Sequence, residues 1–146
     1  MLEINNLRLS YDGLEVLRDI SLHINSGEIV SLVGSNGAGK STLLKGISGL
    51  LNPSSGEIKF LGERIEKLPP HRIVEKGISF VMEGRRTFSL MKVSENLELG
   101  SYLDEAKKRR EESLSIVYEL FPILRERRNQ LAGTLSGGGR PMLAVG

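Results

Sequence analysis

The segment Gly34-Ser35-Asn36-Gly37-Ala38-Gly39-Lys40-Ser41-Thr42 restricts this chain more than any other stretch. It satisfies G-x-x-x-x-G-K-[ST], and it follows Ile29-Val30-Ser31-Leu32-Val33, a short apolar run of the kind a buried strand uses. Lys40 to Leu50 then reads as a helix. Glycines in such a loop let backbone N–H groups turn inward, and the helix that follows adds the positive end of its dipole, so the whole forms a cradle for phosphate oxygens. Lys40 is expected to hold the β- and γ-phosphates of a nucleotide, Ser41 to offer its hydroxyl to Mg2+, and Thr42 to hydrogen-bond a phosphate oxygen nearby. The alternative is a glycine-rich turn with no ligand. Four fixed positions recur by chance in only on the order of one chain in two hundred of this length, which favours phosphate binding.

Composition removes several other possibilities. A chain of 146 residues buries about 70% of the surface its unfolded form exposes, enough for one core and too little for two full domains. Lys and Arg number 20 against 18 Asp and Glu, and a net charge of +2 gives no argument for nucleic acid or an anionic membrane as partner. Without Cys there is no disulfide framework, thiolate metal site or Cys nucleophile. Glu3, Arg8, Asp12, Glu15, Arg18 and Asp19 deny the first twenty residues the apolar core of a signal peptide. No later apolar run approaches the roughly 18 residues that span a bilayer. A cytosolic location is expected, with any membrane link made through a partner protein.

Met1 to Glu28 reads as an antiparallel β edge, with Ile20, Leu22 and Ile24 alternating with polar residues before an Asn25-Ser26-Gly27 turn. Ile58 to Leu61 reads as a strand, Pro69-Pro70 as the start of a short helix stopping at Gly77, and Ile78 to Met82 as a second buried strand. Asp104 is expected to cap one long helix that Pro122 bends or breaks. The basic run from Lys107 to Arg110 is followed at once by Glu111 and Glu112 and reads as a solvated helix face. His23 and His71 stand singly, without metal-ligand spacing, and read as structural. Strands, loop, helices and a further strand in this order suggest an α/β nucleotide-binding core with an inserted helical region.

Leu135-Ser136-Gly137-Gly138-Gly139 is uninformative alone, but together with the phosphate loop it resembles the LSGGQ signature of ATP-binding cassette ATPases. The match departs from that pattern at Gly139, where the family has Gln, and Arg140-Pro141 follow. The resemblance implies an α/β fold: a P-loop NTPase core with an N-terminal antiparallel β subdomain and an inserted α-helical subdomain, incomplete after the signature. It divides the chain into a β subdomain and phosphate-loop core (1–82), a Q-loop and helical subdomain (83–134), and the signature with the start of its helix (135–146). It also implies ATP with Mg2+, buried in a head-to-tail dimer in which Ser136 and the N–H groups of Gly137 and Gly138 face the γ-phosphate held by a second ATPase subunit. Tyr11 resembles the aromatic that stacks on adenine and Val16 the apolar residue beside it. By itself Tyr11 reads equally as an edge-strand aromatic. Glu83 stands at the Q-loop position, near Mg2+ and the attacking water, where a lone strand-end Glu would otherwise be exposed and idle.

The stretches 83–88 and 93–97 look specifically like the ATPase subunits of branched-chain amino-acid importers, with urea-importer subunits similar. That likeness implies a dimer that closes on ATP and pulls on transmembrane permease subunits at the cytoplasmic face of the cell membrane. A periplasmic or extracellular substrate-binding protein would take part indirectly, and no nucleic acid is expected. Glu83, Arg85 and Arg86 would lie at the surface that meets the membrane subunit. The family continues past its signature with an apolar strand ending Asp-Glu (Walker B) and a switch His, which are absent from these 146 residues, so little turnover is expected of them alone. A DNA-maintenance cassette ATPase would need a coiled coil between Lys40 and Ser136, and the span has no room for one. A non-catalytic nucleotide-binding remnant is the other alternative.

Overall fold

One residue too many separates Ile4 from Leu7 for a strict two-residue alternation, and that irregularity shapes the first sheet. The computed structural model describes residues 1–82, 84 and 87–146. In it β1 (Leu2–Tyr11) pairs antiparallel with β2 (Leu14–Ile24). At Asn6, where φ is 47°, β1 bulges; the pair Ile4 with Leu22 is followed by Leu7 with Ile20, so Leu7 and Leu9 return to the buried face. An opposite bulge at Asp19, φ 52°, restores the register on β2, and Arg8 Nε clasps Asp19 Oδ1 across the strands at 2.8 Å. Asp12 and Gly13, both left-handed, form the two-residue turn that matches the strands' twist.

Next come α1 (Lys40–Ile47), β3 (Ser55–Phe60), β4 (Glu63–Arg64) and α2 (Pro70–Glu75). The sheet order is β2-β1-β3-β4, with every pair antiparallel. Gly56 lies where β3 passes the Asn6 bulge; a Cβ there would stand 2.5 Å from the Asn6 carbonyl oxygen, and its φ is +89°. No other residue type fits. Leu43 of α1 and Ile73 of α2 complete a core with Leu2, Ile4, Leu7, Leu9, Leu17, Ile58 and Ile65. This set of elements forms a compact unit, residues 1–80.

Residues 81–146 form a second unit. It contains α3 (Val93–Gly100), α4 (Asp104–Lys108), α5 (Arg110–Leu120), α6 (Pro122–Glu126), a 3-10 turn at Ala132–Thr134 and α7 (Gly139–Val145). Val93, Leu97, Leu124, Ala132, Leu135 and Leu143 are its core. The segment before α3 is tied to the one before α7 by Val93 N–H to Gln130 O (2.9 Å), Ala132 N–H to Met91 O (2.9 Å) and Gly133 N–H to Ser89 O (2.9 Å). No helix among the described residues is long and apolar enough to cross a membrane.

The α/β class and the antiparallel β edge stand as read from the sequence, and several local expectations are corrected. Residues 29–33 and 78–82 join no ladder among the described residues; Ile29 and Val33 are 99% and 95% exposed. An apolar run specifies burial on both faces, but its ladder bonds must come from neighbouring strands, and no described segment pairs with either run. α1 stops three residues before Leu50, because Gly49 turns left-handed (φ 72°) and Leu50 N–H folds back to Lys45 O at 2.9 Å. Leu103, not Asp104, is the N-cap of α4, and Asp104 sits in its first turn, where its charge still favours the helix dipole. The single long helix is two, broken at Arg109. There Arg110 folds back, its Nε donating to Ser101 Oγ at 2.7 Å. The other basic residues of the run pair locally: Lys107 with Asp104, Lys108 with Glu105 and Arg109 with Glu112. Pro122 does end α5 and begins α6.

Candidate functional site

Glycine geometry shapes the phosphate loop. Gly37 and Gly39 hold φ values of 85° and 89°, and between them Ala38 N–H reaches Ser35 O at 3.2 Å to close the turn. Gly39 is also the N-cap of α1. A Cβ on it would stand 2.4 Å from Leu17 Cδ2 and 3.7 Å from Val16 Cγ1, so the loop's end rests directly on β2. Both the conformation and the close approach require glycine there. Leu43 N–H to Gly39 O, 2.9 Å, starts the helical ladder, and the N–H groups of a helix's first turn have no acceptor within the helix.

Lys40 is the first residue of α1, and its ammonium folds back over the loop to donate to Gly34 O at 2.8 Å and Ser35 O at 2.7 Å. A cation is thus held at the loop by two carbonyls. Ser35, Asn36, Gly37, Ala38 and Ser41 are exposed, whereas Thr42 is buried. Upstream, Glu28 accepts from Asn25 Nδ2 (2.8 Å) and Asn25 N–H (2.7 Å), which clasps the turn leading into residues 29–33 and holds the carboxyl below its ordinary range.

The hairpin of β1 and β2 brings two further residues beside α1. Val16 meets Gly39 as described, and Tyr11, at the end of β1, accepts a hydrogen bond on its hydroxyl from Lys45 Nζ at 3.2 Å. Lys45 has no motif to announce it in the sequence; the only available signal is its place one helical turn and a residue beyond Lys40.

In the second unit Leu135 is buried, while Ser136, Gly137 and Gly138 are exposed. Gly139 and Arg140 donate their N–H groups to Ser136 O at 3.1 and 3.3 Å, which starts α7 with Pro141 inside its first turn. Arg140 Nη2 also donates to Gly133 O at 2.6 Å, tying α7 to the preceding 3-10 turn. A Cβ on the buried Gly139 would meet nothing closer than Leu135 Cβ at 3.4 Å, which is ordinary van der Waals contact. Asn96, which the sequence marks only as part of the 93–97 stretch, clasps the backbone: its carbonyl accepts Phe88 N–H at 2.8 Å, and its amide donates to Phe88 O and Lys92 O at 3.1 and 2.9 Å. Glu83, Arg85 and Arg86 lie outside the described residues.

Among the described residues no group of three or more His, Asp or Glu could hold a metal. A Mg2+ that arrives with a nucleotide needs no such cage, since phosphates and waters supply most of its oxygen ligands. An exposed hydroxyl at Ser41, next to Lys40, fits that role.

A family model described as "ABC transporter" matches residues 17–146. The chain is 44% identical over 146 residues to the high-affinity branched-chain amino acid transport ATP-binding protein BraG of Pseudomonas aeruginosa, covering all of this chain and 62% of that protein. It is 38% identical over 145 residues to the probable branched-chain amino acid transport ATP-binding protein LivF of Archaeoglobus fulgidus, covering 99% of this chain and 61% of that one. Among solved structures, a dimeric ATP-binding cassette in a post-hydrolysis state, bound to ADP and Pi, superposes with a TM-score of 0.79 at 28% identity, over 99% of this chain and 67% of the other. The chain thus spans about three fifths of the length of these two curated relatives.

Proposed function

Because the chain belongs to the ABC transporter family, we propose that it is the nucleotide-binding part of an ATP-hydrolysing transporter subunit, gripping ATP by its phosphates at Gly34–Thr42. The observation that carries this reading is the Lys40 ammonium, held across a loop of left-handed glycines at the start of α1. In this reading the triphosphate takes over the ammonium from the Gly34 and Ser35 carbonyls, a charge-assisted exchange of neutral acceptors for anionic ones. Backbone N–H groups of residues 35–40 and the helix dipole supply the remaining positive potential. Tyr11 and Val16 form the side against which the base stacks. Ser41 would offer its hydroxyl to a Mg2+ bound with the nucleotide, which would supply neutralisation of phosphate charge, and Glu83 would serve as the Q-loop residue for the attacking water.

Ser136, Gly137 and Gly138 are proposed to complete the site of a second ATPase subunit. Residues 1–82, 83–134 and 135–146 would then act as core, helical subdomain and signature. The transported substrate is proposed to be a branched-chain amino acid, supported by the 44% identity to a protein so named. Permease partners at the cytoplasmic face of the membrane follow from that same reading, with a substrate-binding protein acting through them.

Equilibrium dialysis with ATP, ADP and AMP tests the phosphate grip. Binding should weaken sharply from ATP and ADP to AMP, because the loop holds β- and γ-phosphates. Equal affinity for AMP contradicts the reading. ATP-dependent leucine uptake in proteoliposomes carrying the assembled transporter tests the substrate, and uptake of putrescine without leucine would overturn it.

A further inference from the structure

Lys45 lies five residues after Lys40 on α1, about 140° around the helix axis at 100° per residue, so the two ammonium groups leave the helix on different faces. One reaches the phosphate loop and the other reaches Tyr11. Lys45 Nζ is 3.2 Å from the Tyr11 hydroxyl oxygen but 5.6 Å from the centre of its ring. A cation so much nearer the oxygen than the ring centre sits past the hydroxyl rim, and it covers neither ring face.

Tyr11 needs such a restraint. It is the last residue of β1, directly before the Asp12-Gly13 turn, and it is 38% exposed. A side chain there keeps its rotational freedom unless something fixes it. The helix that carries Lys45 is itself fixed. α1 is pressed onto the sheet at Gly46, where a Cβ would stand 2.7 Å from Leu9 Cδ1, and its start rests on Leu17 through Gly39. The hydrogen bond therefore connects the helix that carries the phosphate loop to the strand end that carries the ring.

We propose that Lys45 is a positioning residue for the nucleotide base: it pins the Tyr11 phenol by its hydroxyl and presents a preoriented ring face to a planar heteroaromatic base. This rests on the reading of Tyr11 as the base platform. A base tethered to phosphates on the loop then finds its stacking surface already ordered. Without Lys45, the ring must be immobilised at the moment of binding, which weakens the complex by roughly three- to tenfold. Inorganic tripolyphosphate has no base and is indifferent to the ring.

The test is a calorimetric series on the full chain with two probes, Mg-ATP and Mg-tripolyphosphate. The variants are Lys45→Met, Lys45→Arg, Tyr11→Phe, Tyr11→Ala and the pair Lys45→Met with Tyr11→Phe. Met and Arg are good helix formers, so α1 is retained. The expected result is that Lys45→Met and Tyr11→Phe each weaken ATP three- to tenfold, the pair is no weaker than either alone, and Lys45→Arg restores affinity. Tripolyphosphate should bind equally to all five. Parental ATP affinity in Lys45→Met, additive losses in the pair, or an equal loss of tripolyphosphate would each overturn the proposal, the last by making Lys45 a phosphate contact. If Tyr11→Ala binds ATP like the parent, the platform reading itself fails, and the inference falls with it. If the parent binds neither probe, the phosphate loop reading has failed, and this inference with it.

Discussion

At the scale of single residues, Gly39 and Gly37 make a controlled comparison. Both are left-handed, but a Cβ at Gly39 would strike Leu17 at 2.4 Å, while nothing lies within 4 Å of one at Gly37. Gly37→Ala should therefore carry only the left-handed penalty of about 1–2 kcal/mol. Gly39→Ala should add about 1–3 kcal/mol for displacing a packed core side chain. Urea unfolding of the two variants measures the difference, and equal destabilisation would show that the loop does not rest on β2. Tyr11→Ala should lower ATP affinity by about 1–3 kcal/mol if the ring stacks on the base. Unchanged affinity would return Tyr11 to an edge-strand aromatic, the alternative its sequence position always allowed. What the sequence made legible at this scale was the motif residues, because glycine conformation and a lysine at a helix start are local properties. The contacts of Lys45 and Asn96 were not legible because they depend on partners 34 and eight residues away.

At the scale of elements, two polar clasps hold pieces that hydrophobic pattern alone leaves loose. Asn96 of α3 accepts from and donates to the backbone of Phe88 and donates again to Lys92, so it fixes the loop entering the helix. Asn96→Ala should cost about 1–2 kcal/mol, and amide exchange at Phe88 should accelerate while Leu124 in the core stays protected. On the β side, the buried Glu66 carboxylate accepts from Ile58 N–H at 3.3 Å and from Arg64 Nε at 2.7 Å. Burial opposes its charge, yet bonds from Arg64 and backbone N–H groups outweigh that, and the carboxyl titrates below its ordinary range. A depressed folded value means that its stabilisation is complete above the unfolded value of about 4.3 and is lost as pH falls through the folded one. Glu66→Gln should be less stable by about 1.5–3 kcal/mol at pH 7. Its thermal midpoint should also fall less than the parent's on acidification below about pH 4. A parallel acid profile in the two proteins would remove Glu66 from the explanation. The antiparallel β edge was legible because the alternation at Ile20, Leu22 and Ile24 is a short-range signal, whereas the Asp12-Gly13 turn that closes it into a hairpin emerges only in the structure. Where β1 departs from alternation, the Asn6 bulge explains why its apolar residues still share a face.

At the scale of the whole molecule, the same chemistry that was easiest to read locally was hardest to place. The apolar runs at 29–33 and 78–82 announce burial, but a strand's ladder is made by its neighbours, and Ile29 and Val33 are almost fully exposed. Periodicity marks an apolar run without naming its partner. The break between α4 and α5 was invisible for a related reason: Arg110 bonds Ser101, nine residues back, and no helical period contains that contact. By contrast the family was legible from a few residues, since the phosphate loop and the Leu135–Gly139 run are separated motifs whose joint occurrence is restrictive, and the family match over 17–146 agrees. The proposed function stands or falls on the loop at 34–42 gripping the phosphates of ATP through Lys40. Isothermal titration of Mg-ATP into the parent chain and into Lys40→Ala, with thermal melts showing both folded, decides it. Loss of one charge-assisted contact of about 1.5–3 kcal/mol predicts a roughly ten- to hundredfold weaker Kd in the variant. Equal affinities in the two proteins would contradict it.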